Sequence, residues 1–269
     1  MTDEKHTIPP RDHKLGEGNT AEVFAWGEGR ILKLWHSGYS RQASQHEAIV
    51  GRTIHQLGIP SPEVIELVQL EERYGIVYSY VPGVALKTWL LTVPQRLDTA
   101  ARWLSRLHAQ IHNHTADNTL PSHRGRTRDR IMAVSELSIS DRERLMHILN
   151  ALPDGYQVCH GDFHPDNVLV EGSHAIIIDW SDASAGPPEA DVTRTLLLVE
   201  GADVPLKLRD AFNRAYIDEY QRQRALEVKL ILRWYPILAA ARLAENLERL
   251  PGERQRLQTI VNKVLLRHV

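Results

Sequence analysis

The sequence predicts an α+β chain, with a small β-rich first part and a larger, mainly helical remainder. Three observations predict it. Residues 14–81 break into short apolar runs set apart by glycines, with one helical stretch among them. From residue 99 onward, apolar residues recur mostly at helical spacing. One β-like island interrupts those helices, where Val168-Leu169-Val170 and Ala175-Ile176-Ile177-Ile178 flank a turn at Gly172.

Lys14 to Trp35 reads as three short strands. Gly16 and Gly18 separate the first two, and Gly27-Glu28-Gly29 makes a tight hairpin before Ile31–Trp35. Residues 42–57 place Ala48, Ile49, Ile54 and Leu57 near helical spacing, with Gly58 and Pro60 as stop signals. Val64 to Leu70 and Gly75 to Val81 are two further strands, and Pro82-Gly83 closes the β-rich part. Thr99 to His114 puts Ala100, Trp103, Leu104, Leu107 and Ile111 on one helix face. Ser140-Asp141-Arg142-Glu143 has the form of a capping box that opens another helix. Residues 206–225, 227–233 and 236–250 also favour helix.

Composition narrows the function. There are 32 Lys and Arg against 34 Asp and Glu, so the net charge of -2 gives no footprint for nucleic acid or an anionic membrane. The single cysteine, Cys159, makes neither an internal disulfide nor a thiolate cage, and reads as a small buried apolar residue. Met1 to Lys14 is polar and lacks the apolar core of a signal peptide. No apolar run approaches the ~20 residues that span a bilayer. The expectation is a soluble, cytoplasmic protein.

The chemistry concentrates in residues 159–170, Cys-His-Gly-Asp-Phe-His-Pro-Asp-Asn-Val-Leu-Val, and in Asp179. Polar groups pressed between apolar strands are costly without partners. Phosphate transfer from a nucleotide needs such groups: a carboxylate at the attacking hydroxyl and oxygen ligands for Mg2+. Asp162 suits the first role, and Asn167 and Asp179 the second. The alternation His160, Asp162, His164, Asp166 would also suit a transition-metal hydrolase, although Pro165 breaks any regular face.

His160-Gly161-Asp162 with Asn167 and then Asp179 resembles the catalytic loop and metal-binding Asp of the protein-kinase-like fold. More closely, the His-Gly-Asp-x-His-Pro-x-Asn form resembles the aminoglycoside phosphotransferase family. The resemblance covers roughly residues 14–250. It implies a two-lobed fold: residues 1–82 as a nucleotide-binding lobe with a small antiparallel sheet, and 83–269 as a mainly helical catalytic and substrate-binding lobe. It implies ATP or GTP as phosphate donor, Mg2+ on Asn167 and Asp179, and Asp162 as the residue that orients the acceptor hydroxyl.

The first third carries its own share of the resemblance. Gly16-Glu17-Gly18-Asn19-Thr20-Ala21-Glu22-Val23 resembles a kinase glycine-rich loop, with Ala21 where a third glycine is common. Its backbone N–H groups would approach phosphate, with Asn19 and Thr20 as added donors and Val23 closing the segment. Lys33 lies mid-strand, opposite in facing to Leu32 and Leu34. The resemblance maps it to the lysine on the α/β-phosphates and Glu47 to its ion-pair partner. Tyr78–Gly83 resembles the hinge, where the Ser79 carbonyl and the Val81 N–H would meet the base. Asp191 resembles a family Asp that braces the catalytic loop, and Trp180 reads as core.

Only about a dozen residues separate Asp179 from Asp191. That leaves little room for the activation segment of a protein kinase. His164 stands where protein Ser/Thr kinases carry Lys. Both features favour a small hydroxylated acceptor, an aminoglycoside-like antibiotic or a related molecule, with a macrolide, sugar or choline-like compound as alternatives. A non-catalytic nucleotide-binding regulator is the other reading. After residue 85 the chain has 24 basic and 23 acidic residues, so the substrate lobe is not acidic overall. The run of four arginines from Arg124 to Arg130 reads as a solvated face.

Overall fold

A computed structural model describes residues 8–18, 20–248 and 250–266. Asn19 and the first seven residues of the polar N-terminal stretch lie outside the described residues. Among the described residues the chain begins with strands β1 (Lys14–Glu17), β2 (Ala21–Ala25) and β3 (Arg30–Trp35), then helix α1 (Arg41–Gln56), β4 (Val64–Leu70), β5 (Arg73–Ser79) and the short β6 (Val84–Ala85). Helices α2 (Leu86–Thr92), α3 (Leu97–Ile111), α4 (His123–Ala133) and α5 (Ile139–Asn150) follow. Next come β7 (Gln157–Cys159), β8 (Val168–Glu171), β9 (His174–Ile177) and β10 (Ser184–Gly186). Helices α6 (Pro188–Glu200), α7 (Leu206–Gln223), α8 (Val228–Arg242) and α9 (Glu253–Leu265) complete it. None is long and apolar enough to cross a membrane.

Two packing units result. The first holds the described residues through Ala85 together with Val168–Ser181; the second holds Leu86–Asn167 and the chain from Asp182 onward. Packing thus groups the β8–β9 hairpin with the earlier sheet unit, a division that a single boundary after residue 82 does not draw.

In the first unit five antiparallel strands run in the order β1-β2-β3-β5-β4. Alternation sorts their side chains onto two faces. Phe24, Leu32, Leu34, Leu70 and Val77 fill one face. Ala21, Trp35, Val64 and Ile76 fill the other, against Ala48 of α1. Ser40 starts that helix, its Oγ accepting the Ala43 N–H at 3.2 Å. Gly51 lets the helix lie close to the sheet, since a Cβ there would stand 2.7 Å from Val64 Cγ2. Glu47, one turn earlier, is thereby aimed at the strand that carries Lys33.

The second unit is mainly helical, with one small sheet of β7 and β10. Its core gathers around α8, where Trp234 and Ile237 are fully buried against residues of α4, α5, α6 and α9. Several elements differ from the sequence reading. Ser138, not Ser140, caps α5, because its Oγ reaches the Asp141 N–H at 3.1 Å in the three-residue spacing a cap requires. The segments 227–233 and 236–250 form one helix through Pro236, which stops at Arg242. The missing proline N–H costs a hydrogen bond, and burial of the side chains on either side of it offsets that loss. Helix α6 was not legible as amphipathic because nearly every residue in it is buried, on all sides.

Candidate active site

Each unit carries its own part of the predicted constellation. In the first, Lys33 Nζ donates to Glu47 Oε1 at 2.8 Å and to Asp179 Oδ1 at 2.9 Å. Burial disfavours the ammonium, but the charges of Glu47 and Asp179 outweigh it and hold Lys33 above the ordinary lysine range. Glu47 is itself buried and also accepts from the Tyr78 hydroxyl at 3.0 Å. The sequence reading placed Tyr78 only in the hinge-like run and not beside Glu47; the signal was alternation, which puts it on the same sheet face as Ile76. Asp179 sits in left-handed backbone, φ 60°, which few non-glycine residues adopt. Its carboxylate also accepts from the Ser181 hydroxyl.

The glycine-rich segment spans the β1–β2 turn. Gly18 N–H donates to the Ala21 carbonyl at 2.8 Å, and the Thr20 carbonyl accepts the His36 N–H at 2.9 Å. Val23 lies directly opposite Lys33 in the strand pairing. A Cβ added at Gly16 would meet nothing within 4 Å, and at Gly18 only the Ala21 carbonyl at 3.8 Å. Neither residue has positive φ. The fold therefore does not demand these two glycines. Gly18→Val is expected to leave the urea midpoint within experimental error and to raise the nucleotide KM about tenfold; a lowered midpoint with unchanged KM would reverse the argument. At the end of β5, Ser79 N–H donates to the Glu63 carbonyl at 3.0 Å. No backbone hydrogen bond from Val81 N–H occurs among the described residues.

In the second unit the loop from His160 to Asn167 is gripped by one face of α6. Asp191 accepts from the backbone N–H groups of His160 at 2.6 Å and Gly161 at 2.8 Å. Arg194 Nε donates to the Gly161 carbonyl at 3.1 Å, and the Thr195 hydroxyl to the Phe163 carbonyl at 2.8 Å. Gly161 has φ 79°, and a Cβ there would collide with the backbone of Asp182. Polar residues at three- and four-residue spacing inside an apolar helix were the signal for this grip, and Arg194 and Thr195 went unread.

Asp162 is held from two sides. Arg194 Nη2 donates to Oδ1 at 3.3 Å, and His164 Nε2 stands 3.4 Å from Oδ2. The Asp166 N–H donates to His164 Nδ1 at 3.2 Å, which leaves the proton on Nε2, facing Asp162. Burial would raise the Asp162 carboxyl. The hydrogen bond and charge of His164, then the charge of Arg194, more than offset it and hold the group well below the usual carboxylate range. Asn167 Nδ2 donates to the Asp162 carbonyl at 2.8 Å, a bond only an N–H can make, so Oδ1 is the atom left for a cation. The four residues of the alternative metal-hydrolase reading do not converge. Among the described residues the cluster of candidate ligands within 4.8 Å is His108, His112 and Asp191.

That cluster is a buried hydrogen-bond network, not an open site. His108 and His112 donate from Nε2 to Asp191 Oδ2 at 2.9 and 3.2 Å, while their Nδ1 atoms accept from the Tyr216 and Tyr220 hydroxyls, both at 2.6 Å. Burial, with His112 adjacent, lowers His108 to about 3 against the pull of Asp191. Burial likewise lowers His123 to about 4. Both groups bind a proton more readily in the unfolded chain, so stability rises with pH across the interval between their folded and unfolded values. Each is expected to remove about 1.4 kcal/mol per pH unit as pH falls below ~6.5. Urea midpoints measured from pH 7 to 4 should decline steadily; a flat profile would show that these rings are not buried neutral.

Trp180 and Cys159 are buried, as the sequence suggested. The arginine run is not a solvated face. Arg124 donates to the carbonyls of Leu149 and Leu152, and Arg126 and Arg130 both reach Asp182.

A charge-paired lysine and ionised oxygen donors on a firmly braced loop are what phosphoryl transfer asks of a protein, and with an antiparallel sheet unit and a helical unit they define the class of kinase-like phosphotransferases. The chain belongs to the phosphotransferase enzyme family, whose model matches residues 13–226. Among solved structures it is similar to an amicoumacin kinase, hAmiN, in complex with AMP-PNP, Ca2+ and Ami (16% identity, 96% of this chain and 89% of that one, TM-score 0.66). It is similar to an aminoglycoside-3'-phosphotransferase of type VIII (22%, 84% and 90%, 0.61). A choline/ethanolamine kinase family protein from Mesorhizobium loti shares the fold as well (17%, 92% and 86%, 0.63). No curated protein sequence matches the chain.

Proposed function

We propose that this protein moves the γ-phosphate of ATP or GTP to a hydroxyl of a small molecule, an aminoglycoside-like antibiotic or a related compound. The observation that carries the reading is Asp162, kept ionised between Arg194 and His164 with the Asn167 amide turned toward it. In this reading residues 1–82 bind the nucleotide and 83–269 bind the acceptor. Lys33, fixed by Glu47, holds the α/β-phosphates, and the backbone of Gly16, Gly18, Asn19 and Thr20 covers them, with Val23 against the nucleotide. The Ser79 carbonyl and Val81 N–H pair with the base. Asn167 and Asp179 each offer an oxygen suited to Mg2+, which would neutralise phosphate charge when bound.

Asp162 accepts the hydrogen of the acceptor hydroxyl and aims its oxygen at phosphorus. A carboxylate this acidic is a weak base, so the proton passes to it late. The new oxygen–phosphorus bond forms, the bond from the γ-phosphorus to the bridging oxygen breaks, and the nucleoside diphosphate departs with that electron pair. Catalysis is then positioning and charge stabilisation, with no covalent enzyme intermediate.

Aminoglycosides, macrolides and common metabolites, each incubated with the chain, Mg2+ and nucleotide, test the reading by mass. One phosphoryl group should appear on a hydroxyl compound. Slow nucleotide hydrolysis that no hydroxyl compound speeds would instead mark a nucleotide-binding regulator.

A further inference from the structure

Asp162 does not have Arg194 to itself. The buried guanidinium offers one nitrogen, Nη2, to two carboxylates. It donates to Asp162 Oδ1 at 3.3 Å and stands 2.8 Å from Glu245 Oε1. The N–H is aimed at Asp162; Glu245 Oε1 accepts no aligned hydrogen bond and draws the group by charge. Arg194 Nε is taken by the Gly161 carbonyl. Burial opposes the charge on Arg194, but Glu245 first, and then Asp162, outweigh it and hold the guanidinium above its ordinary range. The nearer claim on Arg194 is therefore Glu245's, not Asp162's.

Glu245 is held in that place from several sides. It lies just past α8, where its N–H donates to the Arg242 carbonyl at 3.0 Å. Its second oxygen accepts from Arg242 Nη1 at 2.9 Å, and Arg130 Nη1 stands 3.8 Å from the first. No arginine of this group depends on Glu245 alone: Arg194 also has Asp162, Arg242 has Glu253, and Arg130 has Asp182. The family match ends at residue 226, and Glu245 lies beyond it. What Glu245 alters is the share of Arg194 that reaches Asp162. A carboxylate closed on by an undivided arginine commits its charge and lone pairs to that contact. Asp162 needs both for an acceptor hydroxyl.

We propose that Glu245 is a positioning residue for phosphate transfer: it holds the Arg194 guanidinium back from Asp162 and so keeps the charge of Asp162 available to the acceptor hydroxyl. The proposal rests on the phosphotransferase reading above. Glu245 touches no reacting atom in this account, and it acts through Arg194 alone.

Glu245→Gln tests it, because the side chain keeps its length and an oxygen for Arg242 and loses only its charge. Crystal structures of parent and variant should show Arg194 Nη2 closing on Asp162 Oδ1 to about 2.8 Å, the length of a charge-assisted bond. Kanamycin, erythromycin and choline serve as acceptors, each with Mg2+ and ATP or GTP. On whichever the parent phosphorylates, kcat should fall about tenfold in the variant. Nucleotide KM and the urea midpoint should stay at the parent's values. In an Arg194→Lys background the same substitution should cost nothing further, since its route to Asp162 is gone. If Arg194→Lys folds poorly, the crystal structures and the kinetics of Glu245→Gln decide the matter. An unchanged Arg194–Asp162 distance, an unchanged kcat, or an equal further loss in the Arg194→Lys background would each overturn the proposal. So would a fall in kcat accompanied by a lowered urea midpoint, which marks a residue that only ties helices together. A parent that phosphorylates none of the acceptors removes the phosphotransferase reading, and with it the role in transfer; the Arg194–Asp162 distance then still decides whether Glu245 holds the guanidinium back.

Discussion

Asp162→Asn should bind nucleotide as the parent does and lose turnover by roughly 10²–10⁴-fold. Asparagine keeps the shape of the side chain and can still accept from Arg194 or His164. It does not carry the negative charge that orders an acceptor hydroxyl, and it cannot take the proton as phosphorus is attacked. Arg194 keeps Glu245 as a partner at 2.8 Å, so the substitution strands no buried cation. Calorimetry with Mg2+–nucleotide and single-turnover phosphorylation separate the two quantities. Undiminished turnover would falsify the assignment of Asp162 as the residue that orients the acceptor.

Asp191→Ala should be the most damaging single substitution to the fold, by about 3–5 kcal/mol. Burial opposes the charge on Asp191, but His108 and then His112 outweigh it and hold the carboxyl well below its ordinary range. Removing it would orphan the N–H groups of His160 and Gly161 and the Nε2 donors of both histidines, all in a dry interior. Against a typical total stability of about 5–15 kcal/mol, such a loss approaches unfolding. Asp191→Asn should cost less, because one amide oxygen still accepts, although its NH2 would face donors. Urea denaturation of both variants checks the order. A midpoint for Asp191→Ala equal to the parent would show that the network carries no net stability.

Legibility followed sequence distance. Asp162, Asn167 and Asp179 stood out as candidates because their spacing along one short loop and hairpin is itself the signal. The Lys33–Glu47 pair came from the kinase resemblance, and the structure forms that ion pair at 2.8 Å. Tyr216, 108 residues from His108, could not be paired with it from spacing, and neither could Arg194, 32 residues from Asp162. Helix α6 hid for a related reason: a helix buried on every side shows no apolar stripe, so Arg194 looked like one charge in an apolar run.

The order of residues alone determined the class of fold and the family, and put forward Asp162, Asn167 and Asp179 as candidates, since each depends on local period or contiguous motif. It did not determine how the acidic side chains are spent. Packing brought Arg126 and Arg130 of α4 onto Asp182, and Arg194 onto Glu245, pairings that no spacing along the chain shows. Charge acts through space, and falls off with separation in ångströms and not in residues. Only the folded chain sets those separations.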